Sequence, residues 1–263
     1  MRRRAFLAAS GTAVAALSGC LGVFGGSGAS GPVTNGDYPA DPDRTDGIPP
    51  VIGEKPQKRD VNTSAFNTID VNGETVRLAP IEVTKYWYDR ANTRFVDARG
   101  SSQYERSHIY GAVNSTAQRG STGGGIEGWA KDDRIVAYCG CPHHLSSVRA
   151  AGLQKAGYEN VFVINEGFWE WHDRGYPMKG ADFEKSAAAR IEGRTDPSSA
   201  GEYAWATALD SGQEEAAPIG TDGTYELELH FDGMTADTTL RVDTPDYSVT
   251  DTLAALTSSV VTG

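Results

Sequence analysis

Lysine is scarce in this chain. Only seven of the 24 basic residues among 263 are lysines, whereas aspartate supplies 20 of the 35 acidic ones, and the net charge is −11. Nucleic-acid binding rests on clustered lysine and arginine that displace counterions from phosphates, so no nucleic-acid partner is expected. Long apolar runs are missing as well. None reaches the roughly 18 residues of a membrane-spanning helix, so the chain is not expected to cross a bilayer in that way. Hydrophobic residues make up 39%, a lean supply that still suffices for a soluble core. The length suits one or two compact domains, with two as the starting expectation.

The acid excess has two readings. Charge of one sign keeps a protein soluble. The Asp-rich, Lys-poor balance also resembles proteins of extremely halophilic archaea, which implies adaptation to high salt. The N-terminus reads as an address. Arg2, Arg3 and Arg4 precede Ala5-Phe6-Leu7, and a mild apolar stretch runs to Leu17. Charged start, apolar middle and small-residue boundary together make a signal peptide over residues 1–19. Arg3-Arg4-Ala5-Phe6-Leu7 looks like a twin-arginine export signal, and Leu17-Ser18-Gly19-Cys20 is similar to a lipobox. That resemblance implies a lipid on Cys20 and anchoring to the outer face of the cytoplasmic membrane. An ordinary apolar helix with an incidental Cys20 is the alternative. Loss of residues 1–19 leaves 21 basic and 35 acidic residues, a net charge of −14. Residues 20–78 are read as a flexible tether. Their 22–60 stretch, rich in Gly, Pro, Asp, Asn and Ser, cannot bury enough apolar surface to offset its ordering entropy.

A different pattern occupies residues 79–182. Pro80-Ile81-Glu82-Val83 opens a helix with Val83, Tyr86, Trp87 and Ala91 at helical spacing. Phe95-Val96-Asp97-Ala98-Arg99 reads as a strand, and Ile135-Val136-Ala137-Tyr138 as a second one ending at Cys139. Residues 147–156 read as a helix with Val148, Ala151 and Leu153 on its apolar side and Gly157 as its C-terminal cap. Val161-Phe162-Val163-Ile164 reads as a third buried strand. Strands alternating with helices predict an α/β fold with a parallel sheet flanked by helices.

Five motifs follow one another in this region. They are Phe95-Val96-Asp97-Ala98-Arg99; Ser107-His108-Ile109-Tyr110-Gly111-Ala112-Val113-Asn114; Tyr138-Cys139; Gly157-Tyr158-Glu159-Asn160-Val161; and Gly167-Phe168-Trp169-Glu170-Trp171 with Gly175-Tyr176-Pro177. In this order they resemble the rhodanese-like sulfurtransferases. The resemblance implies that Cys139 accepts a sulfane sulfur from a small donor as a persulfide and passes it to a thiol or cyanide-like acceptor, with no cofactor. Asp97 and Arg99 would then form a strand-end ion pair, and His108 a hydrogen-bonded scaffold residue. Trp169 and Trp171 are expected to pack against the core.

Chemistry favours the same cysteine. Open α/β sheets bind ligands at the carboxyl ends of their strands. A loop running straight into a helix aims backbone N–H groups and the positive end of the helix at the sulfur, which favours thiolate. The loop Cys139-Gly140-Cys141-Pro142-His143-His144-Leu145-Ser146-Ser147 departs from the common Cys-x-x-Gly-x-Arg-Ser form of the family. It is about two residues longer and begins Cys-x-Cys-Pro, as in a less common rhodanese subgroup. It lacks the arginine that would clamp an oxyanion, which speaks against thiosulfate and against phosphatase or arsenate-reductase chemistry. Gly140, Cys141, Pro142, His143, His144, Leu145 and Ser146 are the expected substrate-binding residues, with the two histidines replacing the missing arginine or simply solvated. Cys139 and Cys141 could close only a small, strained disulfide ring. Two other functions stay open. Cys139, Cys141, His143 and His144 could hold a soft metal, or the domain could be a silent scaffold for protein interaction.

Residues 188–263 change character again. Tyr225-Glu226-Leu227-Glu228-Leu229-His230-Phe231 alternates strictly after the turn signal Asp222-Gly223. Glu202 to Ala208 and Thr238 to Val242 are further strand candidates. The spacing suggests a small antiparallel β-sandwich, faintly similar to transthyretin-like or carboxypeptidase-regulatory accessory domains. No nucleophile, metal cluster or Gly-rich loop is evident in it, and its expected role is structural or adhesive.

Overall fold

The computed structural model describes residues 46–117, 125–180, 185 and 187–263. The segment read as a signal peptide, Cys20 and the stretch read as a tether as far as residue 45 lie outside the described residues. Among the described residues no helix is long and apolar enough to cross a membrane.

The order begins earlier than residue 79. Strands β1 (Asn67–Val71) and β2 (Glu74–Ala79) form an antiparallel hairpin. Asn72 and Gly73, at φ +52° and +81°, make the turn between them, and such left-handed pairs match the twist of two flanking strands. This corrects the expectation of a tether running to residue 78. The stretch from residue 67 is not a spacer but the edge of the main sheet, because Asn-Gly between two alternating segments is a hairpin signal that outweighs the polar composition before it.

Helix α1 (Ile81–Asp89) follows and buries Ile81, Thr84, Trp87 and Tyr88. Ala91 does not join that face. It lies at φ +46° past the helix end, where the chain reverses toward β3 (Arg94–Asp97). Then come α2 (Ser101–Arg106), β4 (His108–Ile109), β5 (Val113–Asn114), β6 (Arg134–Tyr138), α3 (Leu145–Lys155), β7 (Asn160–Ile164), α4 (Gly167–Asp173) and β8 (Met178–Lys179). The main sheet has the order β1-β2-β7-β6-β3-β5. All its pairings except β1–β2 are parallel, so the carboxyl ends of β3, β6 and β7 meet at one edge.

Period-two alternation divides the apolar residues between the two faces. Phe95, Val136 and Phe162 pack with Trp87, Tyr88 and Trp171 of α1 and α4 on one side. Val96, Ile135, Ala137, Val161 and Val163 pack with Ala150, Ala151 and Leu153 of α3 on the other. Rings interlock within the first cluster, with centroids 5.0 Å apart for Trp87–Phe162 and 5.2 Å for Tyr88–Trp171. Each such buried side chain contributes about 1.5–3 kcal/mol over its exposed state.

The C-terminal region is antiparallel β. Strands β9 (Ala189–Arg194), β10 (Tyr203–Ala208), β11 (Glu214–Pro218), β12 (Thr224–Leu229), β13 (Thr239–Asp243) and β14 (Ser248–Thr252) precede a final turn of helix, α5 (Leu253–Leu256). They form a four-stranded sheet, β11-β10-β13-β14, and a pair, β12-β9. Along β12, Tyr225, Leu227 and Leu229 are buried while Thr224 and Glu226 are exposed. They share a core with Ile191, Ala206, Leu240 and Val242. The alternation read from the sequence is therefore the physical basis of this second core.

Candidate active site

Cys139 follows the last residue of β6 and is fully buried. Its Sγ lies 2.9 Å from the carbonyl oxygen of Cys141 and 3.2 Å from Ser146 Oγ. Ser146 stands in the first turn of α3. Burial alone pushes the Cys139 thiol up. Its interaction with the Cys141 thiol and the Ser146 hydrogen bonds outweigh that, and the thiol sits below its ordinary value. Cys141 goes the other way. The nearby Cys139 sulfur, its burial and the charge of Glu215 push it well above the ordinary range. The two thiols of the loop are thus shifted in opposite directions. Both are free cysteines.

Strain and close packing give the loop its shape. His143 lies at φ +67°, a left-handed conformation uncommon for a non-glycine residue. Gly167, at φ +80°, lets the backbone of α4 approach so closely that a Cβ there would lie 3.3 Å from Gly140 O. Helix α3 starts at Leu145, two residues before the expected position, because His144 O already accepts the N–H groups of Ser147 and Val148. Gly140, Cys141, Leu145 and Ser146 are buried, Pro142 is exposed, and His143 and His144 are half-buried.

Arg99 and Asp97 form a buried two-pronged pair, Nη2–Oδ2 2.7 Å and Nε–Oδ1 3.0 Å. Arg99 also donates to Ser107 O at 2.6 Å and lies 3.9 Å over the Phe168 ring. Burial works against its charge, but Asp97 more than restores it. The pair locks the end of β3 to the turn before β4, beside the loop. His108 bonds Tyr104 O through Nδ1 at 2.5 Å and stacks on the Tyr104 ring. Burial holds it below its ordinary pKa. Trp169 and Trp171 belong to the core around α4.

The four residues considered as metal ligands do not assemble. His143 Nε2 turns to Asn165 Oδ1 at 3.1 Å, at the end of β7. Cys139 faces Cys141 O and Ser146. The remaining two meet a residue the sequence reading did not single out. Glu215, on β11, reaches Cys141 Sγ at 2.9 Å and lies 3.7 Å from His144 Nδ1, which is 3.3 Å from the same sulfur. Burial works against a charge on His144, yet the Glu215 carboxylate raises its pKa.

The β-rich region also covers Cys139. Trp205 and Ala216 stand opposite each other across β10 and β11, and with Ala98, Ala117 and Leu145 they pack around Cys139. The region read as structural or adhesive thus also supplies side chains beside the loop. Glu215 lies 74 positions from Cys141, in an Ala-rich strand without a motif, and only the docking of the two cores makes it part of the site.

Residues 82–174 match the family model of the rhodanese-like domain. Residues 82–174 are thus a rhodanese-like domain, of a family that includes sulfurtransferases, and the antiparallel β region lies beyond the matched segment. Curated proteins give no match. Among solved structures, the chain is similar to the rhodanese-like domain of an Anabaena protein, at 21% identity over 42% of this chain and 84% of that one, TM-score 0.35. A Bacillus halodurans protein matches at 19% identity over 40% and 77%, TM-score 0.35. A Pseudomonas aeruginosa thiosulfate sulfurtransferase matches at 23% over 32% and 16%, TM-score 0.29.

Proposed function

We propose that this protein is a sulfurtransferase of rhodanese type with Cys139 as its nucleophile. The observation that carries the reading is the seat of Cys139. It stands at the carboxyl end of a central parallel strand, with its sulfur against the first turn of α3 and bonded to Ser146. The thiolate attacks the sulfane sulfur of a donor, and the bond to the leaving group breaks with its electron pair. Cys139 then carries a persulfide, whose charge the Ser146 hydroxyl and the first turn of α3 stabilise. An acceptor thiolate or cyanide attacks the outer sulfur and returns Cys139 to the thiolate. No net oxidation occurs, and no cofactor enters.

The donor class follows from charge. No arginine stands in the loop, and Glu192 and Glu226 line the cleft that reaches His144. Both disfavour a dianion such as thiosulfate and favour a persulfide or polysulfide donor. Because Cys139 is fully buried, Trp205 and its neighbours must give way for the donor to enter. Incubating the full chain with a polysulfide and analysing the Cys139 peptide by mass spectrometry tests the reading. One added sulfur is expected in the wild type and none in Cys139→Ser. A wild type that takes up no sulfur is a silent scaffold, and the proposal fails.

Export by a twin-arginine signal, a lipid on Cys20 and adaptation to high salt belong to the same proposal and rest on the sequence alone. Fractionation tests the first two. Cys20→Ser should release an exported protein from the membrane, and Arg3→Lys with Arg4→Lys should stop export. A wild type found soluble in the cytoplasm overturns both. Unfolding measured across salt concentrations tests the third, with stability expected to rise toward molar salt and a flat response counting against it.

A further inference from the structure

We propose that Cys141, His144 and Glu215 form a binding site for one divalent transition-metal ion of the zinc class, separate from the sulfur-carrying Cys139. The inference does not depend on the sulfur-transfer reading.

The donor atoms already stand close to the corners of a coordination polyhedron. Tetrahedral zinc holds thiolate at about 2.3 Å and imidazole or carboxylate at about 2.0–2.2 Å, which separates its ligand atoms by roughly 3.4–3.6 Å. Here Sγ–Nδ1 is 3.3 Å, Nδ1–Oε1 is 3.7 Å and Sγ–Oε2 is 2.9 Å. The short edge is the thiol of Cys141 donating to the carboxylate. Replacing that proton by a cation requires the sulfur and oxygen to part by about 0.5–0.7 Å.

Charge balance points the same way. The Glu215 side chain is only 6% exposed, and a buried carboxylate is costly unless something neutralises it. Around it stand a thiol at 2.9 Å, the N–H of Ala216 at 2.9 Å and the His144 ring. A divalent ion bound to a thiolate, a carboxylate and a neutral imidazole makes a neutral unit, with the Cys141 proton released to solvent. Three protein ligands leave a fourth position open.

The loop separates the two sulfurs by function. Cys141 turns its carbonyl oxygen to Cys139 and its side chain to His144 and Glu215. The ligand atoms that lie within 4.8 Å of one another are those of Cys141, His144 and Glu215, and Cys139 is not in that group. Access is provided by a cleft of about 470 Å³ that reaches His144 and carries Glu192 and Glu226 on its walls. Two carboxylates along the entry attract a cation.

The test uses the full chain, stripped with chelator and kept reduced, and titrated with Zn²⁺ and then with Co²⁺. One equivalent should bind, and cobalt should show thiolate charge transfer together with the intense ligand-field bands of a four-coordinate ion. Glu215→Gln, nearly isosteric, should weaken zinc by more than the roughly 100-fold seen for outer-shell changes, and so should Cys141→Ser and His144→Ala. Cys139→Ser and His143→Ala should keep wild-type affinity. Circular dichroism of each metal-free variant separates lost ligation from lost folding. No saturable site in the wild type overturns the proposal, and so does wild-type affinity in Glu215→Gln. Loss of metal in Cys139→Ser also overturns it, since the ligands would then lie within the loop. Sulfur uptake by Cys139 in the stripped chain is scored separately, so either proposal can fail alone.

Discussion

Removing the carboxylate of Asp97 is the most direct probe of what holds the sheet edge together. Its side chain is fully buried and that of Arg99 is 4% exposed. In Asp97→Ala the guanidinium loses both prongs of its ion pair, and its own backbone N–H loses the bond to Asp97 Oδ1. The Ser107 carbonyl and the Phe168 ring cannot neutralise it. Breaking a buried pair from one side costs about 3–5 kcal/mol. With a urea m-value of about 2–3 kcal/mol/M, the midpoint should fall by roughly 1–2 M. Asp97→Asn keeps an acceptor and should lose less, near the 1.5–3 kcal/mol of a hydrogen bond to a charged group. Asp97→Leu with Arg99→Met should recover part of the loss, because no charge is then left buried. The assay is urea unfolding of the full chain at fixed salt and pH. A loss within about 0.5 kcal/mol for Asp97→Ala, the range of an ordinary surface change, would refute the reasoning.

Three further outcomes are expected. Gly73→Ala meets no atom within 4 Å, but φ is +81°, so its cost should be the backbone penalty of about 1–2 kcal/mol, read by thermal unfolding; a neutral result would mean that the hairpin turn is not held. Because the His108 pKa in the folded chain lies below its ordinary value of about 6.5, the unfolded chain binds more protons just under that value. The contribution of His108 to stability should therefore be complete above pH 6.5 and fall on acidification until the folded-state pKa is passed; His108→Asn should flatten this slope, and an unchanged slope would contradict it. Trp205→Ala removes a ring packed against Cys139 and should accelerate alkylation of that thiol by at least roughly tenfold, since a core Trp→Ala change costs about 3–5 kcal/mol and part of that favours local opening. Equal rates in peptide-resolved mass spectrometry would mean that the β-rich region does not guard the thiol.

Local patterns made much of this architecture legible before any coordinates. Ile135 to Tyr138 and Val161 to Ile164 read as strands because unbroken apolar runs of that length need burial on both faces, and both faces are covered. The alternation of Tyr225, Leu227 and Leu229 identified the second core for the same reason. Cys139 was legible because a strand end leading into a helix is a local event. The β1–β2 hairpin was readable too, in Asn72-Gly73, but the polar stretch before it hid the signal. What only the tertiary structure decided is the assembly around the loop. Sequence spacing put Cys139, Cys141, His143 and His144 in one group; the left-handed turn at His143 sends that ring to Asn165 and splits the set. Glu215 and Trp205 join the loop because two separately patterned cores dock, and a contact across 74 residues leaves no period or spacing to read. Composition and periodicity determine which faces a chain must bury, but which buried faces meet depends on the shape of surfaces that exist only once both cores have formed.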